Sequence, residues 1–319
     1  MDLKSVVLER ANCPNGCGAG DKLILVGHDR LHNLPGEFSL VKCRNCGLMR
    51  TDPRPTPDTM GFYYPDNYGP YLGTQVRQQQ ATKSSGMKKI LGFLLKRFFN
   101  FHAQSLPSMT PGRMLEIGCA SGGFLHQMAA RGWEVEGIEF SESAAQRAAL
   151  LGYPVHVGAL ETAPHPQESY DLIVGWMVLE HLYDPVAGLR RLREWAKPGA
   201  WLVLSVPNAG SLEFRLFKDK WYALQLPTHI HHFTPETLRE ILQAGGWKLK
   251  KVYHQRVLSN LIASAGYLLK DKDYVSLGEK LVAFPENSGK WPYILYPLAW
   301  LLSAFGQTGR MTIWAEVES

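Results

Sequence analysis

From Arg113 onward, short apolar runs alternate with amphipathic stretches. Met114–Ile117, Glu134–Glu139, Val155–Val157, Leu172–Trp176 and Trp201–Val206 read as strands, and Trp247–His254 and Met311–Val317 close the series. Phe124–Arg131, Glu142–Leu151, Pro185–Ala196 and Pro235–Ala244 read as helices. The last has Thr234 as its N-cap and Pro235 at its first position. This alternation predicts an α/β domain with a mostly parallel sheet. Residues 257–309, between the final two strands, are too long and too apolar for a hairpin, and they predict a helical insertion. Upstream, Lys88–Phe101 reads as a helix. Lys89, Gly92, Lys96 and Asn100 share one face; Ile90, Leu91, Leu94, Phe98 and Phe101 share the other. That pattern suits either a core-packing helix with a solvated basic side or a lid or interfacial helix.

At 319 residues, 45% hydrophobic and 20% charged, the chain has room for one large domain and one small one, and full disorder is excluded. No apolar leader follows Met1, and Trp291–Gly309 is uncharged but broken by Pro292, Pro297, Gly306 and Gly309. The expectation is a cytoplasmic protein, with peripheral contact at the inner face of the membrane as a further option. The net charge is +5, yet Asn67–Leu115 contains no acid and seven bases: Arg77, Lys83, Lys88, Lys89, Lys96, Arg97 and Arg113. Such a patch implies an anionic partner: phosphate, lipid headgroup or nucleic acid.

Four of the five cysteines form two pairs, Cys13/Cys17 and Cys43/Cys46, each followed by a glycine, Gly18 or Gly47. Two such turns facing each other supply four sulfur ligands for a structural Zn²⁺. Two disulfides are the rival, disfavoured in a reducing compartment. The module resembles a zinc ribbon. Its residues 1–60 hold eight basic and seven acidic side chains, a weak footprint for nucleic acid. Three units are expected: 1–60, ribbon and linker; 61–110, a basic aromatic and helical lid segment; and 111–319, the α/β domain.

After the first strand of that domain comes Glu116-Ile117-Gly118-Cys119-Ala120-Ser121-Gly122-Gly123, a turn that lets a ligand approach the backbone. Ala120 breaks the dinucleotide fingerprint, and no Gly-Lys-Ser/Thr follows for a P-loop. Glu139, ending the second strand, is placed to accept from ribose hydroxyls. With Gly158-Ala159-Leu160, Asp171-Leu172-Ile173-Val174, Val178-Leu179-Glu180-His181-Leu182, Lys197-Pro198-Gly199-Ala200 and Pro207-Asn208 in order, the chain resembles the class I S-adenosylmethionine-dependent methyltransferases over residues 110–256 and the final strand. The resemblance implies a Rossmann-like seven-stranded sheet. It also implies a cofactor site drawn from Glu116, Gly118, Cys119, Gly122, Glu139, Phe140, Ala159, Leu160 and Met177.

Thr228-His229-Ile230-His231-His232-Phe233-Thr234 places three imidazoles just beyond the fifth strand. It looks like the His-x-x-x-Phe-Thr/Ser segment of ubiquinone-biosynthesis-type O-methylating enzymes, with His229 filling the His. A hydroxyl acceptor must lose a proton, and imidazole is the natural base. His229 ranks first as catalytic residue, then His181 and His232; a metal bound by the His cluster is the rival, with no carboxylate adjoining it in sequence. A ribbon joined to this domain resembles enzymes of bacterial polysaccharide and secondary-metabolite pathways. The acceptor implied is a nucleotide- or lipid-linked sugar methylated on oxygen. An RNA methyltransferase and a non-catalytic SAM-fold binding protein are the alternatives. The oligomeric state does not follow from the sequence.

Overall fold

The computed structural model describes residues 6–65 and 99–317. Its strands are β1 (Leu8–Glu9), β2 (Asp21–Gly27), β3 (Phe38–Cys43), β4 (Met49–Thr51), β5 (Arg54–Pro55), β6 (Arg113–Ile117), β7 (Glu134–Glu139), β8 (Val155–Val157), β9 (Tyr170–Trp176), β10 (Ala196–Pro207), β11 (His231–His232), β12 (Trp247–His254) and β13 (Arg310–Val317). Seven of them form the central sheet, in the order β12-β13-β10-β9-β6-β7-β8. β13 runs antiparallel to both its neighbours; the remaining pairs are parallel. This is the seven-stranded, mostly parallel sheet that the sequence predicts.

Helices cover the sheet because their caps and apolar faces agree. Asp184 accepts from the N–H of Ala187 at 2.9 Å and starts Pro185–Trp195, which buries Val186, Leu189, Leu192 and Trp195. Thr234 and Thr237 form a capping box at the start of Pro235–Ala244, which buries Leu238, Ile241 and Leu242. Trp247 joins them in the core and donates its indole N–H to the carbonyl of Leu189 at 2.9 Å.

One expectation changes. The four-cysteine module is not confined to the first sixty residues, since its sheet has the order β11-β4-β3-β2. β11 lies far along the chain, and it pairs His231 with Arg50 and His232 with Met49. The basic helix expected over Lys88–Phe101 falls largely outside the described residues. Its last residues, Phe99–Phe101, are irregular, and Phe99 and Phe101 pack edge-on against Tyr293 and Tyr296.

The insertion is helical, as expected: Ser259–Lys270, Val275–Val282, Phe284–Asn287, Trp291–Ile294 and Tyr296–Ala304. Gly266 and Gly278 let two of these helices touch, because a Cβ on Gly266 would lie 2.7 Å from the carbonyl oxygen of Gly278.

Candidate active site

One cavity of about 650 Å³ opens at the carboxyl ends of the parallel strands. That is the usual position and size for a ligand site in such a sheet. One end is walled by the turn after β6. Gly118, Ala120 and Gly122 take φ values of +68°, +46° and +78°. A side chain at Gly118 would be strained by that φ, and its Cβ would stand 2.5 Å from Cγ2 of Val178, which would have to move. The turn is pinned from outside: the N–H groups of Gly118 and Cys119 donate to the carbonyl of Ile138 at 2.8 and 3.1 Å.

Glu139 lines this end. Its Oε2 accepts from the N–H of Ala120 at 2.8 Å and its Oε1 from the N–H of Ser141 at 2.7 Å. A carboxylate has about four acceptor sites, so two remain for a pair of hydroxyls. Gly118, Phe140, Ala159, Leu160 and Met177, all expected, stand on the same wall, with Ala120, Glu161 and Trp176 besides.

Glu116, Cys119 and Gly122 do not reach the wall. Glu116 is buried beneath the turn, and burial holds its carboxyl well above the usual range; the N–H of Leu125 opposes this and the charge of Glu139 adds to it. Cys119 packs on β7, where a Cβ on Gly137 would lie 2.5 Å from its sulfur. Gly122 is needed for packing, since its Cβ would meet that of Ala148 at 2.9 Å.

The other end is built by residues distant in sequence: Pro57, Met60, Gly61, Tyr64, His181, Leu182, Tyr183, Gln225, His229 and Arg310. His229 is held at three points. Its N–H donates to Gln225 O at 3.0 Å, its carbonyl accepts from Oγ1 of Thr51 at 2.9 Å, and its Nδ1 lies 2.9 Å from Ala223 O. A carbonyl only accepts, so Nδ1 carries the proton and Nε2 keeps its lone pair. Burial pushes His229 well below the usual imidazole range, and its neighbours His181 and His232 push it further. His181, its ring centroid 4.7 Å away, also turns Nδ1 to a carbonyl, that of Thr228 at 2.9 Å, with Tyr64 Oη at the same distance. Burial lowers it to about 4.

His232 does not join them on the wall. It and His231 lie in β11, both about 1% exposed, and burial lowers each to about 3. Of the three imidazoles in this stretch, only His229 lines the cavity, with the ring of His232 6.5 Å behind it. The grouping that does form is Glu180, His181 and His229, whose ligand atoms lie within 4.8 Å of one another. Glu180 is fully buried, and burial raises its carboxyl to about 8. Arg310 stands beside it and supplies positive charge at this end.

Tyr64, Tyr183, Gln225 and Arg310 carry no sequence signal for the site; only convergence in space reveals them. Two adjacent tyrosines part ways: Tyr64 lines the cavity, whereas the Tyr63 hydroxyl is spent on Pro35 O at 2.8 Å. No residue of 257–309 lines the cavity.

Cys13, Cys17, Cys43 and Cys46 converge with all four sulfurs within 4.8 Å of one another. Four thiols at that spacing fit a tetrahedral Zn²⁺. Cys43 is drawn down to about 7: burial opposes ionisation, and the N–H groups of Cys46 and Asn45 overcome it.

A family model described as a methyltransferase domain matches residues 89–252, just over half of the chain. The ubiquinone biosynthesis O-methyltransferase of Bordetella bronchiseptica is 30% identical over 135 residues, 40% of this chain and 56% of that protein. Its namesake in Hahella chejuensis is 32% identical over 133 residues, 39% of this chain and again 56% of the relative. The chain thus spans little more than half the length of these curated relatives. Among solved structures, an S-adenosylmethionine-dependent methyltransferase from Mesorhizobium loti aligns over 66% of this chain and 93% of its own, at 18% identity and a TM-score of 0.43.

Proposed function

The chain belongs to the methyltransferase-domain family, whose cofactor is S-adenosylmethionine, and from that premise we propose that it methylates a hydroxyl oxygen of a small-molecule acceptor with His229 as the base. The observation that carries this reading is the orientation of His229. Its Nδ1–H is committed to Ala223 O, and the ring lines the cavity, leaving Nε2 as the free basic nitrogen.

The bound cofactor supplies an electrophilic methyl group on a sulfonium. Glu139 would hold the ribose, with the Gly118–Gly122 turn beneath the rest. Methylation would take place at the acceptor oxygen, and Nε2 of His229 would take the proton that this hydroxyl gives up. Tyr64 and His181 brace this end through the 2.9 Å contact of Oη with Nδ1. Placement and exclusion of water supply most of the rate in such a displacement.

The acceptor end suits a sugar. Tyr64, Gln225, His229 and Arg310 offer several directional polar groups within one wall. A second reading follows the relatives named for ubiquinone biosynthesis, a phenolic hydroxyl on an apolar acceptor; Met60 and Leu182 on the wall favour it. Labelled methyl transfer to nucleotide sugars, polyprenyl-linked saccharides and catechols would decide between them. On the acceptor that turns over, His229→Ala should lower kcat by ~10²–10⁴ with SAM affinity kept. Equal loss of SAM binding would overturn the assignment of His229.

Among the described residues, no helix is long and apolar enough to cross a membrane. The exposed apolar face of Trp291–Phe305 supports a peripheral contact with lipid, which would bring the enzyme to a lipid-linked acceptor.

A further inference from the structure

We propose that the four-cysteine module is a working part of the active site, and that Thr51 is the positioning residue through which it sets His229. The proposal rests on the reading of His229 as proton acceptor.

Thr51 ends β4 and is completely buried. Its neighbours in the strand, Met49 and Arg50, pair with His232 and His231 of β11. The ladder then continues past the strand. The N–H of Thr51 donates to Ile230 O at 3.1 Å, and its hydroxyl donates to His229 O at 2.9 Å. One residue of the module thereby fixes two successive carbonyls, those of His229 and Ile230. Thr51 and His229 are 178 residues apart in sequence, so this contact is a stitch between separate segments and no consequence of a local turn.

The strand that carries Thr51 is anchored to the cysteines. Cys43 ends β3, and the turn from it to β4 contains Cys46 and is closed by Gly47 N–H to Cys43 O at 3.0 Å and Cys43 N–H to Leu48 O at 2.9 Å. Arg50, one residue before Thr51, grips both carboxylate oxygens of Asp21 at 2.8 and 2.6 Å and donates from Nε to Ala11 O. Such a bidentate pair, mostly out of water, leaves the strand little freedom to slide.

The same module reaches the rest of the acceptor end. Arg54 donates to Tyr183 O at 3.2 Å and lies over the Tyr183 ring at 4.4 Å, while the Tyr183 hydroxyl donates to Pro55 O at 2.7 Å. Tyr64, just beyond, meets His181. The cofactor end is held differently, by β6, β7 and the turns that follow them. Damage to the module should therefore separate chemistry from cofactor binding. A base displaced by about 1 Å can lose ~10²-fold in rate, whereas the cofactor cradle has no contact with Thr51 to lose.

The test uses the full chain with ¹⁵N-labelled histidine and three variants: Thr51→Val, which keeps the shape and removes the donor, Thr51→Ser, which restores it, and His229→Gln. The expected result is that Thr51→Val shifts the His229 imidazole ¹⁵N resonances and lowers kcat ~10- to 100-fold. Its SAM Kd, by calorimetry, should stay within about twofold of the parent's. Thr51→Ser should recover both the resonances and kcat. Where Thr51→Val does not fold, Thr51→Ala is read in the same way. Unchanged His229 resonances in the variant lacking the donor, or parallel loss of SAM binding, would overturn the proposal. If the resonances shift but His229→Gln turns over like the parent, the positioning stands and the reading of His229 as base fails.

Discussion

Oε2 of Glu139 accepts from the N–H of Ala120 at 2.8 Å, so the carboxylate at the end of β7 also clamps the turn after β6. Ala120 sits at a φ of +46°, which a residue with a Cβ rarely adopts, and the clamp helps to hold it there. One side chain therefore shapes the cradle and faces its occupant. A hydrogen bond to a charged group contributes ~1.5–3 kcal/mol, so Glu139→Ala should weaken SAM binding roughly 10- to 100-fold. Glu139→Gln, which keeps one acceptor oxygen, should lose less. Calorimetry showing unchanged affinity in Glu139→Ala would remove the ribose assignment.

Metal analysis of the purified chain should give one zinc per protein, and Cys43→Ser should lose it. The four sulfurs close on the turn that leads into β4, and β4 leads to Thr51 and the carbonyl of His229. Removing the metal with a chelator should abolish turnover while SAM still binds. A metal-free protein with all four thiols titratable and full activity would refute both halves of this expectation.

The central fold was legible because its signals are local. β7, β8, β12 and the helix Pro235–Ala244 fall at the residues that period, caps and prolines mark. β10 starts at Ala196 instead of Trp201, because the Lys197-Pro198-Gly199 stretch bulges and still rejoins β9. The end walled by the turn after β6 was largely legible too, since Gly118 and Ala159 lie in short motifs and Glu139 ends a strand. The acceptor end was not. Tyr64, Tyr183, Gln225 and Arg310 converge from four segments, and β11 is only two residues long, with its partner in the cysteine module. No period or cap records a pairing of that kind.

Buried titratable groups should give the fold a stability maximum near neutral pH. His102, His181, His229, His231, His232 and His254 are all lowered from 6.5, chiefly by burial. Below 6.5 the unfolded chain binds protons that the native chain refuses, so stability is lost as pH falls. Glu116, Glu180 and Glu213 are raised from 4.5, Glu180 to about 8 and Glu213 to about 7, again chiefly by burial. Their contribution is full below 4.5 and is lost as pH rises through those values. Between 4.5 and 6.5 the imidazoles outnumber the carboxyls, so stability rises with pH; above 6.5 only the carboxyls act, and it falls. Each uncompensated proton changes stability by ~1.4 kcal/mol per pH unit. Urea midpoints across this range should peak near 6.5, and Glu180→Gln should flatten the alkaline limb. A midpoint that rises steadily to pH 8 would contradict the burial of these carboxyls as neutral acids.

The apolar face of the insertion should bind a lipid surface. Ile294, Leu298, Leu301 and Phe305 follow at spacings of four, three and four, and are 63%, 49%, 48% and 71% exposed. Trp291 and Trp300 flank them, while Tyr296 and Ala299 face inward. Amphipathic aromatic rings beside an uncharged apolar stripe suit the headgroup boundary of a bilayer. Phe99 and Phe101 pack on Tyr293 and Tyr296, and in sequence Phe99 follows the run Lys88, Lys89, Lys96 and Arg97, whose charge complements acidic headgroups. Burying three large apolar side chains contributes ~1.5–3 kcal/mol each, so replacing Trp300, Leu301 and Phe305 with Ser should cost at least ~100-fold in partitioning. The chain should float with phosphatidylglycerol–phosphatidylethanolamine vesicles at low salt, less at high salt, and not at all as the triple variant. Replacing the four bases with Gln should remove the salt dependence. If the parent stays at the bottom of the gradient at low salt with SAM present, the face is no lipid contact; if it also sediments as a dimer that the triple variant dissociates, the stripe joins two copies of the chain instead.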